Sequence, residues 1–157
     1  MAIEMKINGF AIKLIIVYSP TNASNTSDAS REIFYSELRK FTFTNKNQTL
    51  LIAGDFNAVT AVSNSAAPTY FDPAIVKHYP DTAKVNSNGH RLISYCCQYI
   101  LCISSTFFRH RLLHKKTHNS SNKKHAGRTI DYILAPRKLL SFFLDCRVRR
   151  GFDFESD

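Results

Sequence analysis

The length and composition of the chain point to one folded domain. It has 157 residues, of which 44% are hydrophobic, 12% aromatic and 21% charged, a composition that can bury a core and excludes a disordered polyelectrolyte. The longest apolar run, Phe10 to Tyr18, is interrupted by Lys13 and is too short to cross a membrane. Because no secretory leader opens the sequence, we expect an intracellular protein, nuclear or cytoplasmic, that is not secreted.

The first elements predicted are a hairpin and a buried strand. Asn8-Gly9 is a strong two-residue turn signal, and the apolar residues around it predict a hairpin from Lys6 to Tyr18. Residues 14–17, Leu-Ile-Ile-Val, are apolar on both faces. They predict a central strand that is covered on both sides.

A helix and a second buried strand follow. Asp28 or a neighbouring serine is expected to cap a helix that runs to about Lys40, and Thr49 to Ala53 is expected to form a strand ended by Gly54. The helix residues expected to face the core are Phe34, Leu38 and Phe41.

The second half of the chain predicts a long loop and then short elements. Ala58 to Asn88 contains three prolines and has no sustained period, so it is expected to be a surface excursion. The elements predicted after it are a helix opened by Asn88-Gly89 with Leu92, Ile93, Cys96, Tyr99 and Ile100 on one face, strands at Leu101–Ser104 and Thr129–Leu134, a helix at Lys138–Leu144 and a strand at Cys146–Arg149. Buried strands that alternate with amphipathic helices predict an α/β layered sheet.

Positive charge is concentrated in one segment. The 21 lysines and arginines outnumber the 12 acids, which gives a net charge of +9, and residues 109–128 hold seven Lys or Arg, four His and no acid. Such a field attracts polyanions, so nucleic acid leads the expected partners, an anionic membrane surface follows, and an ordinary solvated loop is the alternative. The residues expected to bind nucleic acid here are Arg109, Arg111, Lys115, Lys116, Lys123, Lys124 and Arg128.

Neither the cysteines nor the histidines indicate a metal site. The four cysteines form no C-x-x-C pair, and the adjacent Cys96 and Cys97 are expected to be small buried hydrophobes. His110, His114 and His118 recur every fourth residue, which on a helix would align them for zinc. No helix start precedes them and the surrounding cations would repel a metal ion, so zinc is not favoured.

Polar side chains lie at or near the ends of three of the predicted strands. Tyr18 ends one strand, Asp55 and Asn57 follow a second, and Asp131 lies inside the apolar run of a third, where an ionised carboxylate needs a partner. An acid beside a carboxamide can position a water molecule and hold a phosphate oxygen, although Asp-x-Asn is also an ordinary turn. We expect these groups to share one rim of the sheet.

The order of these motifs resembles that of a known superfamily. The residues that carry the resemblance are Tyr18-x-Pro-x-Asn22, Leu51-Ile-Ala-Gly-Asp-Phe-Asn-Ala58, Asn88-Gly-x-x-Leu92, Thr129-Ile-Asp-Tyr132, Arg147-Val-Arg-Arg-Gly151 and Ser156-Asp157. In this order they resemble the endonuclease/exonuclease/phosphatase superfamily, and within it the apurinic-type endonuclease domain of non-LTR retrotransposon polyproteins of the RTE-like group. The resemblance implies part of a deoxyribonuclease-I-like four-layer α/β sandwich, in which two packed mixed sheets are flanked by helices.

The resemblance also implies roles for individual residues. Asp55 would orient or deprotonate the attacking water, Asn57 and Tyr18 would hydrogen-bond the scissile phosphate, and Asn22 would be a weaker candidate for the same surface. Asp131 would orient a catalytic histidine. The metal residue implied by the terminal Ser-Asp-His motif is Asp157, with Mg²⁺ or Mn²⁺ as the cofactor.

The sequence departs from the superfamily pattern at three places. The chain stops at Asp157, before the histidine, and the metal-binding glutamate with its asparagine has no counterpart, since no motif accompanies Glu4. Thr117-His118 stands where family members usually carry Thr-Trp. The resemblance therefore implies that residues 1–157 are a single incomplete domain, without the first strands and the terminal histidine.

These observations support one leading function and two alternatives. The leading interpretation is a fragment of a metal-dependent DNA endonuclease that nicks a target site for retrotransposition, with a reverse transcriptase domain in the same polyprotein and no obligate protein partner evident. The alternatives are an inactive remnant that only binds nucleic acid and a phosphatase of the same superfamily. The missing groups predict that the chain by itself is not a complete enzyme.

Overall fold

A five-stranded mixed sheet organises the part of the chain that the structure describes. The computed structural model describes residues 1–23, 25–43, 45, 47–60, 75–76, 85–118 and 127–149. Its strands lie in the order β1-β2-β3-β5-β4, with β2 and β3 parallel and the other neighbours antiparallel. The main elements are β1 (Ala2–Ile7), β2 (Phe10–Tyr18), α1 (Asp28–Thr42), β3 (Gln48–Asp55), α2 (Ser87–Tyr99), β4 (Leu101–Ile103) and β5 (Asp131–Pro136). The predicted α/β class is confirmed.

The hairpin forms as the Asn8-Gly9 pair predicts. Both residues have positive φ, 48° and 84°, which suits the twist of a two-residue hairpin turn, and β1 pairs with β2 along its whole length. β2 then connects to the parallel strand β3 through α1, as a parallel pair requires. The start of α1 is fixed by Ser27, whose Oγ accepts a hydrogen bond from the N–H of Ser30 at 3.1 Å.

Both helices contribute to a core on one face of the sheet. Ile15, Ile52, Leu134 and Ile103 stand side by side on β2, β3, β5 and β4, and none is more than 3% exposed. The helix side chains in the same cluster are Tyr35, Leu38, Leu92, Tyr95 and Cys96. Because each fully buried aliphatic side chain contributes about 1.5–3 kcal/mol, this covered face is the main source of stability in the described part of the chain.

The buried face of α1 is turned relative to the predicted one. Leu38 is buried as predicted and Phe34 packs against the core, but Phe41 is 49% exposed while Tyr35 and Thr42 are buried. Their hydroxyls are satisfied inside: Tyr35 Oη donates to a backbone carbonyl of α2 at 3.3 Å, and Thr42 Oγ1 donates to the carbonyl of Leu38 at 2.8 Å. The prediction for Phe41 was wrong because an apolar pattern does not reveal polar groups that find partners in the core.

The buried face of α2 is close to the predicted one. Its described buried apolar side chains are Leu92, Ile93, Tyr95 and Cys96, of which only Tyr95 was not predicted. Cys97, expected to be buried, is exposed. Ile100, expected on the buried face, is 75% exposed because it ends the helix in the left-handed conformation, with φ of 54°.

The structure differs from three predicted boundaries or elements. Gly54 does not end β3 but lies inside it, where a Cβ would meet the carbonyl oxygen of Val17 at 2.0 Å. The short helix predicted at 138–144 is present as a 3₁₀ helix at Arg137–Phe142, without buried residues. Residues 146–149 form no strand, since the described contacts give them one backbone bond, from Val148 N–H to His114 O at 2.8 Å. A strand needs a partner along its length.

The predicted surface excursion after Ala58 lies largely outside the described residues. The parts that are described contradict the prediction, because Ala58, Val59 and Thr60 are buried and so are Ile75 and Val76. The carbonyl of Ile75 accepts a hydrogen bond from β4 at 3.0 Å. These residues belong to the core rather than to the surface.

The second face of the sheet is only partly covered in the described residues. Ile16 on β2 is 38% exposed, whereas its neighbour Ile15 on the opposite face is 3% exposed. The other apolar side chains exposed on this face include Ile3, Ile7, Phe10 and Ile133. In the part of the chain that the structure describes, the second side of β2 is thus less covered than predicted. Of the implied four layers, the described residues supply one sheet and its helices.

Candidate functional site

Three of the predicted site residues stand abreast on three adjacent strands. The register places Tyr18 of β2 opposite Asp55 of β3, and Asp55 opposite Asp131 of β5. Residues in register lie on the same face of a sheet, and strand alternation places these three on the less covered one. The predicted convergence is confirmed, and we call this row, with Asn57, the rim.

Asn57 continues the rim from the loop after β3. It has φ of 46°, and its backbone N–H donates to Asp55 Oδ1 at 2.7 Å. Its side-chain Nδ2 donates to the carbonyl of Ser19 at 2.8 Å, and the N–H of Ser19 donates to the carbonyl of Asp55. The Asp-x-Asn sequence thus makes an ordinary turn and also locks the ends of β2 and β3 together. A phosphate contact by Asn57 remains a prediction.

An asparagine network holds the loops behind the rim. The carbonyl of Asn57 accepts from the side-chain amides of Asn22, Asn86 and Asn88 at 2.5, 3.0 and 3.5 Å. Asn22 Oδ1 accepts from the N–H of Asn88 at 3.2 Å, so both ends of this amide are engaged. The nucleic-acid contact predicted for Asn22 stays untested. Sequence reasoning missed Asn86, although it is the cap of α2 and accepts from Gly89 N–H at 2.8 Å.

The carboxylate of Asp55 lies in an unfavourable electrostatic environment. Partial burial raises the pKa of Asp55, and the nearby Asp131 raises it further, while the hydrogen bond from Asn57 and the nearby His118 act in the opposite direction. A carboxylate with a raised pKa is a better proton acceptor than an ordinary aspartate. This environment suits the predicted role of Asp55 towards water.

Two described basic residues, Lys115 and Arg147, share a pocket with Asp131 of the rim. Lys115 and Thr117 line a pocket of about 240 Å³ together with Asp131, and partial burial lowers the pKa of Lys115. Thr117 Oγ1 accepts from Asp131 N–H at 3.2 Å, which fixes this loop to the start of β5. Arg128 also belongs to this loop region, through backbone bonds to His118.

The remaining basic residues divide by position. Lys116 is half-buried, whereas Arg109 and Arg111 are exposed. Lys123 and Lys124 lie outside the described residues, and so does Asp157. Their predicted contacts with nucleic acid or metal therefore remain predictions.

The three spaced histidines do not form a helical stripe. Only Leu112–His114 has a helical turn there, a 3₁₀ segment. His110 Nε2 pairs with Asp145 Oδ1 at 2.6 Å, while His114 Nδ1 contacts the carbonyl of Val148 at 3.3 Å. His110 and His114 thus have separate partners, and residues 110–118 do not present the three histidines on one helix face.

The described residues do not build a complete protein-ligated metal site. Among them no group of three or more His, Cys, Asp or Glu side chains could hold a metal ion. Mg²⁺ takes carboxylate oxygens, and the rim offers only the pair Asp55 and Asp131. We therefore assign no metal ligand within this part of the chain.

Among the described helices, none is long and apolar enough to span a membrane.

The fold is deoxyribonuclease-I-like, as the motif order predicts. Among solved structures, the 3′ phosphatase NExo from Neisseria, bound to a product DNA hairpin, matches with a TM-score of 0.55 and 16% identity over 89% of this chain and 53% of that one. The endonuclease domain of TRAS1, a telomere-specific non-LTR retrotransposon, matches with a TM-score of 0.48 and 11% identity over 89% and 51%.

One curated protein matches this chain in sequence over almost its whole length. Craniofacial development protein 2 of Bos taurus is 28% identical over 149 residues, which are 94% of this chain and 23% of that protein. No family model matches the chain. The chain thus spans about half the length of the two solved structures and less than a quarter of the curated relative.

Proposed function

We propose that this chain is the rim-bearing part of a metal-dependent DNA endonuclease domain. The observation that carries the proposal is the row Tyr18, Asp55 and Asp131, which three adjacent strands hold abreast beside a basic loop. Phosphodiester hydrolysis needs an oriented water, donors for the developing negative charge and a cation field for the polyanion. The rim would orient the water and supply the donors, and the loop supplies the cations.

Each rim residue has a proposed part in the reaction. Asp55 accepts a proton from the attacking water, which its raised pKa favours. Tyr18, whose side chain is 72% exposed, and Asn57 hydrogen-bond phosphate oxygens. Asp131 orients an imidazole. Mg²⁺ or Mn²⁺ would supply charge stabilisation in the intact domain, with Asp157 among its ligands.

The biological setting proposed is a retrotransposon. The motif order is that of the RTE-like endonuclease domains, and the partner is then target DNA, with a reverse transcriptase domain in the same polyprotein. NExo, which shares the fold, is bound to a DNA hairpin. The exposed apolar face and the half-length matches support a longer domain of which residues 1–157 are one part.

A second candidate is a catalytically inactive remnant that only binds nucleic acid. It is favoured by two observations: the described residues contain no trio of metal-binding side chains, and the Nδ2 of Asn57 is committed to Ser19. A phosphatase of the same superfamily is the third, since the structurally similar NExo is a 3′ phosphatase.

The proposal is tested by nicking of supercoiled plasmid with Mg²⁺. We expect residues 1–157 to give no measurable nicking, because a general acid or base alone contributes ~10²–10⁴-fold and the implied histidine and glutamate are not in this sequence. A longer chain that includes both should nick, and Asp55→Ala in that chain should abolish nicking. The matched control is Lys6→Gln, at the opposite end of the sheet.

The other candidates predict different results. If a folded longer chain binds plasmid but does not nick it, the inactive remnant is correct. If it releases inorganic phosphate from a 3′-phosphorylated oligonucleotide without nicking, the phosphatase is correct. Nicking by residues 1–157 that persists in Asp55→Ala would place the chemistry elsewhere and overturn the proposal.

A further inference from the structure

His118 lies next to the rim in a tightly fixed backbone position. Its N–H donates to the carbonyl of Arg128 at 2.9 Å, and the N–H of Arg128 donates back to the carbonyl of His118 at 2.8 Å. One residue earlier, Thr117 Oγ1 accepts from the N–H groups of Ile130 and Asp131 at 3.1 and 3.2 Å. These bonds hold residues 117–118 against the start of β5.

The side chain of His118 has electrostatic neighbours of both signs. It lies close enough to Asp55 to lower the pKa of that carboxyl, against the effects of burial and of Asp131. Because His118 and Arg128 are directly paired across the bridge, their side chains lie on the same side of the ribbon. The charged or titratable groups on the elements around it are Tyr18 on β2, Asp55 on β3, Asp131 on β5 and, on its own loop region, Lys115, Lys116 and Arg128.

The rim needs such a group if it is to receive a phosphate. Two adjacent carboxylates repel an anion. The other described cations nearby are Lys115, Lys116 and Arg128 on the loop side and Arg147, which lines the pocket with Asp131. His118 is exposed, so a ligand can reach it. A protonated imidazole offers two N–H donors and one positive charge, both of which suit a phosphate oxygen.

We propose that His118 is a phosphate-binding residue of the rim, which together with Arg128 holds a phosphate group of a nucleic acid against Asp55 and Asp131. This inference deepens the proposed function and depends on it. It gives a role to the position where the sequence has histidine instead of the tryptophan of related domains. The phosphate can be an internal phosphodiester or a terminal phosphomonoester, which share this chemistry.

The test is binding of fluorescently labelled single-stranded oligonucleotides, with and without a terminal phosphate, to the full chain. Affinity is measured at several values between about pH 5 and 8, the range in which imidazole side chains in general can change charge. His118→Gln should weaken binding by about tenfold near pH 6, as expected for one charge-assisted bond, and flatten the pH dependence. His118→Arg should restore affinity and keep it at high pH, which a purely structural role would not do.

The matched control is His90→Gln, because His90 is exposed on α2, and it should leave affinity and its pH dependence unchanged. Equal binding of both oligonucleotides would assign the site to phosphodiesters, and tighter binding of the phosphorylated one to a terminal phosphate. If the wild type binds and His118→Gln behaves like it, the inference on His118 is wrong while the proposed function stands. If the wild type binds no oligonucleotide at low salt, both fall.

A second measurement covers the case in which the variants do not fold. Modification of histidines by diethyl pyrocarbonate in the wild-type chain can be mapped by mass spectrometry. Bound oligonucleotide should protect His118 and leave His90 reactive. Equal reactivity of His118 with and without oligonucleotide would overturn the inference.

Discussion

The two faces of the sheet differ although the same strands build both. On the covered face, Ile15 and Ile52 are at most 3% exposed beneath α1 and α2. On the other face, Ile16 and Phe10 are 38% and 67% exposed, and the rim of polar residues lies at its edge. The covered face supplies stability, and the other face carries the chemistry proposed for this protein.

The pattern of side chains along the strands matches this difference only in part. A sheet between two layers needs apolar side chains on both faces, whereas a sheet with one free face shows a polar alternation. β1 does alternate, with Glu4 and Lys6 on the face of Ile15 and the apolar Ile3 and Ile7 on the less covered face. An apolar face that is left in contact with solvent is a surface that another layer can cover.

The largest expected difference in the free energy of unfolding is between isoleucine substitutions on the two faces of the sheet. Ile52→Ala should lower the free energy of unfolding by about 2–5 kcal/mol, because it leaves a cavity in the core. Ile16→Ala should cost less than about 1 kcal/mol, since Ile16 is already partly in solvent. Urea unfolding of both variants measures the difference. Equal losses would mean that the second face is buried in solution.

A comparable difference in stability is expected between substitutions at two glycines. Gly54→Ala places a Cβ against the carbonyl of Val17, at a φ of 142°, and should cost at least about 3 kcal/mol by forcing β2 away from β3 at the rim. Gly9→Ala meets no atom within 4 Å and should cost about 1 kcal/mol, from its φ of 84° alone. Thermal unfolding compares them, and a Gly9→Ala loss as large as that of Gly54→Ala would contradict the packing argument.

Local chemistry made part of the fold predictable. Asn8-Gly9 determines its turn through the φ angles that only such residues adopt readily, so the hairpin was predicted correctly. The rim was predicted because Asp55 and Asp131 stand out in apolar strands. Both conclusions depend on residues whose neighbours in sequence already define the conformation.

Contacts distant in sequence limited the rest. The burial of Tyr35 and Thr42 depends on partners on α2, and the strand predicted at 146–149 lacks a strand partner among the described residues. The loop that brings His118 to Asp55 is held by bonds to Arg128 and the start of β5, which no pattern in residues 109–118 reveals. Such tertiary pairings decide which of several plausible faces or elements forms.

Lysines beside the rim should contribute more to the salt dependence of DNA binding than lysines at the far end of the sheet. Lys115→Gln with Lys116→Gln should reduce the slope of log affinity against log salt by up to about 2, because each lost phosphate contact removes ~0.9 of slope. The matched control, Lys6→Gln with Lys138→Gln, removes the same charge at the other end of the strands. Lys6 lies about 23 Å from the level of Tyr18, at ~3.3 Å per residue along β2, and Lys138 follows the end of β5 opposite to Asp131. Fluorescence anisotropy at several salt concentrations measures the slopes. Equal slopes would mean that the basic loop is only solvated.

The smallest expected effect is on the pH dependence of stability, which should differ between an aspartate of the rim and an aspartate of α1. Asp55 has a pKa raised above its ordinary value of 3.8, chiefly by burial, so its ionisation opposes folding as the pH rises above that value. Asp28 has a lowered pKa, chiefly through its hydrogen bond from Arg91, so its ionisation favours folding above pH 3.8 and this contribution is lost as the pH falls through the folded-state value. Asp55→Asn should therefore stabilise the chain near neutral pH, by less than about 1 kcal/mol after solvent screening, and Asp28→Asn should destabilise it. The stability differences between each variant and the wild type should be smaller near pH 3.8 than at neutral pH. Urea unfolding at these two pH values measures them. A loss of stability in Asp55→Asn at neutral pH would show that this carboxylate supports the fold, and the division between a stabilising face and a functional rim would then be wrong.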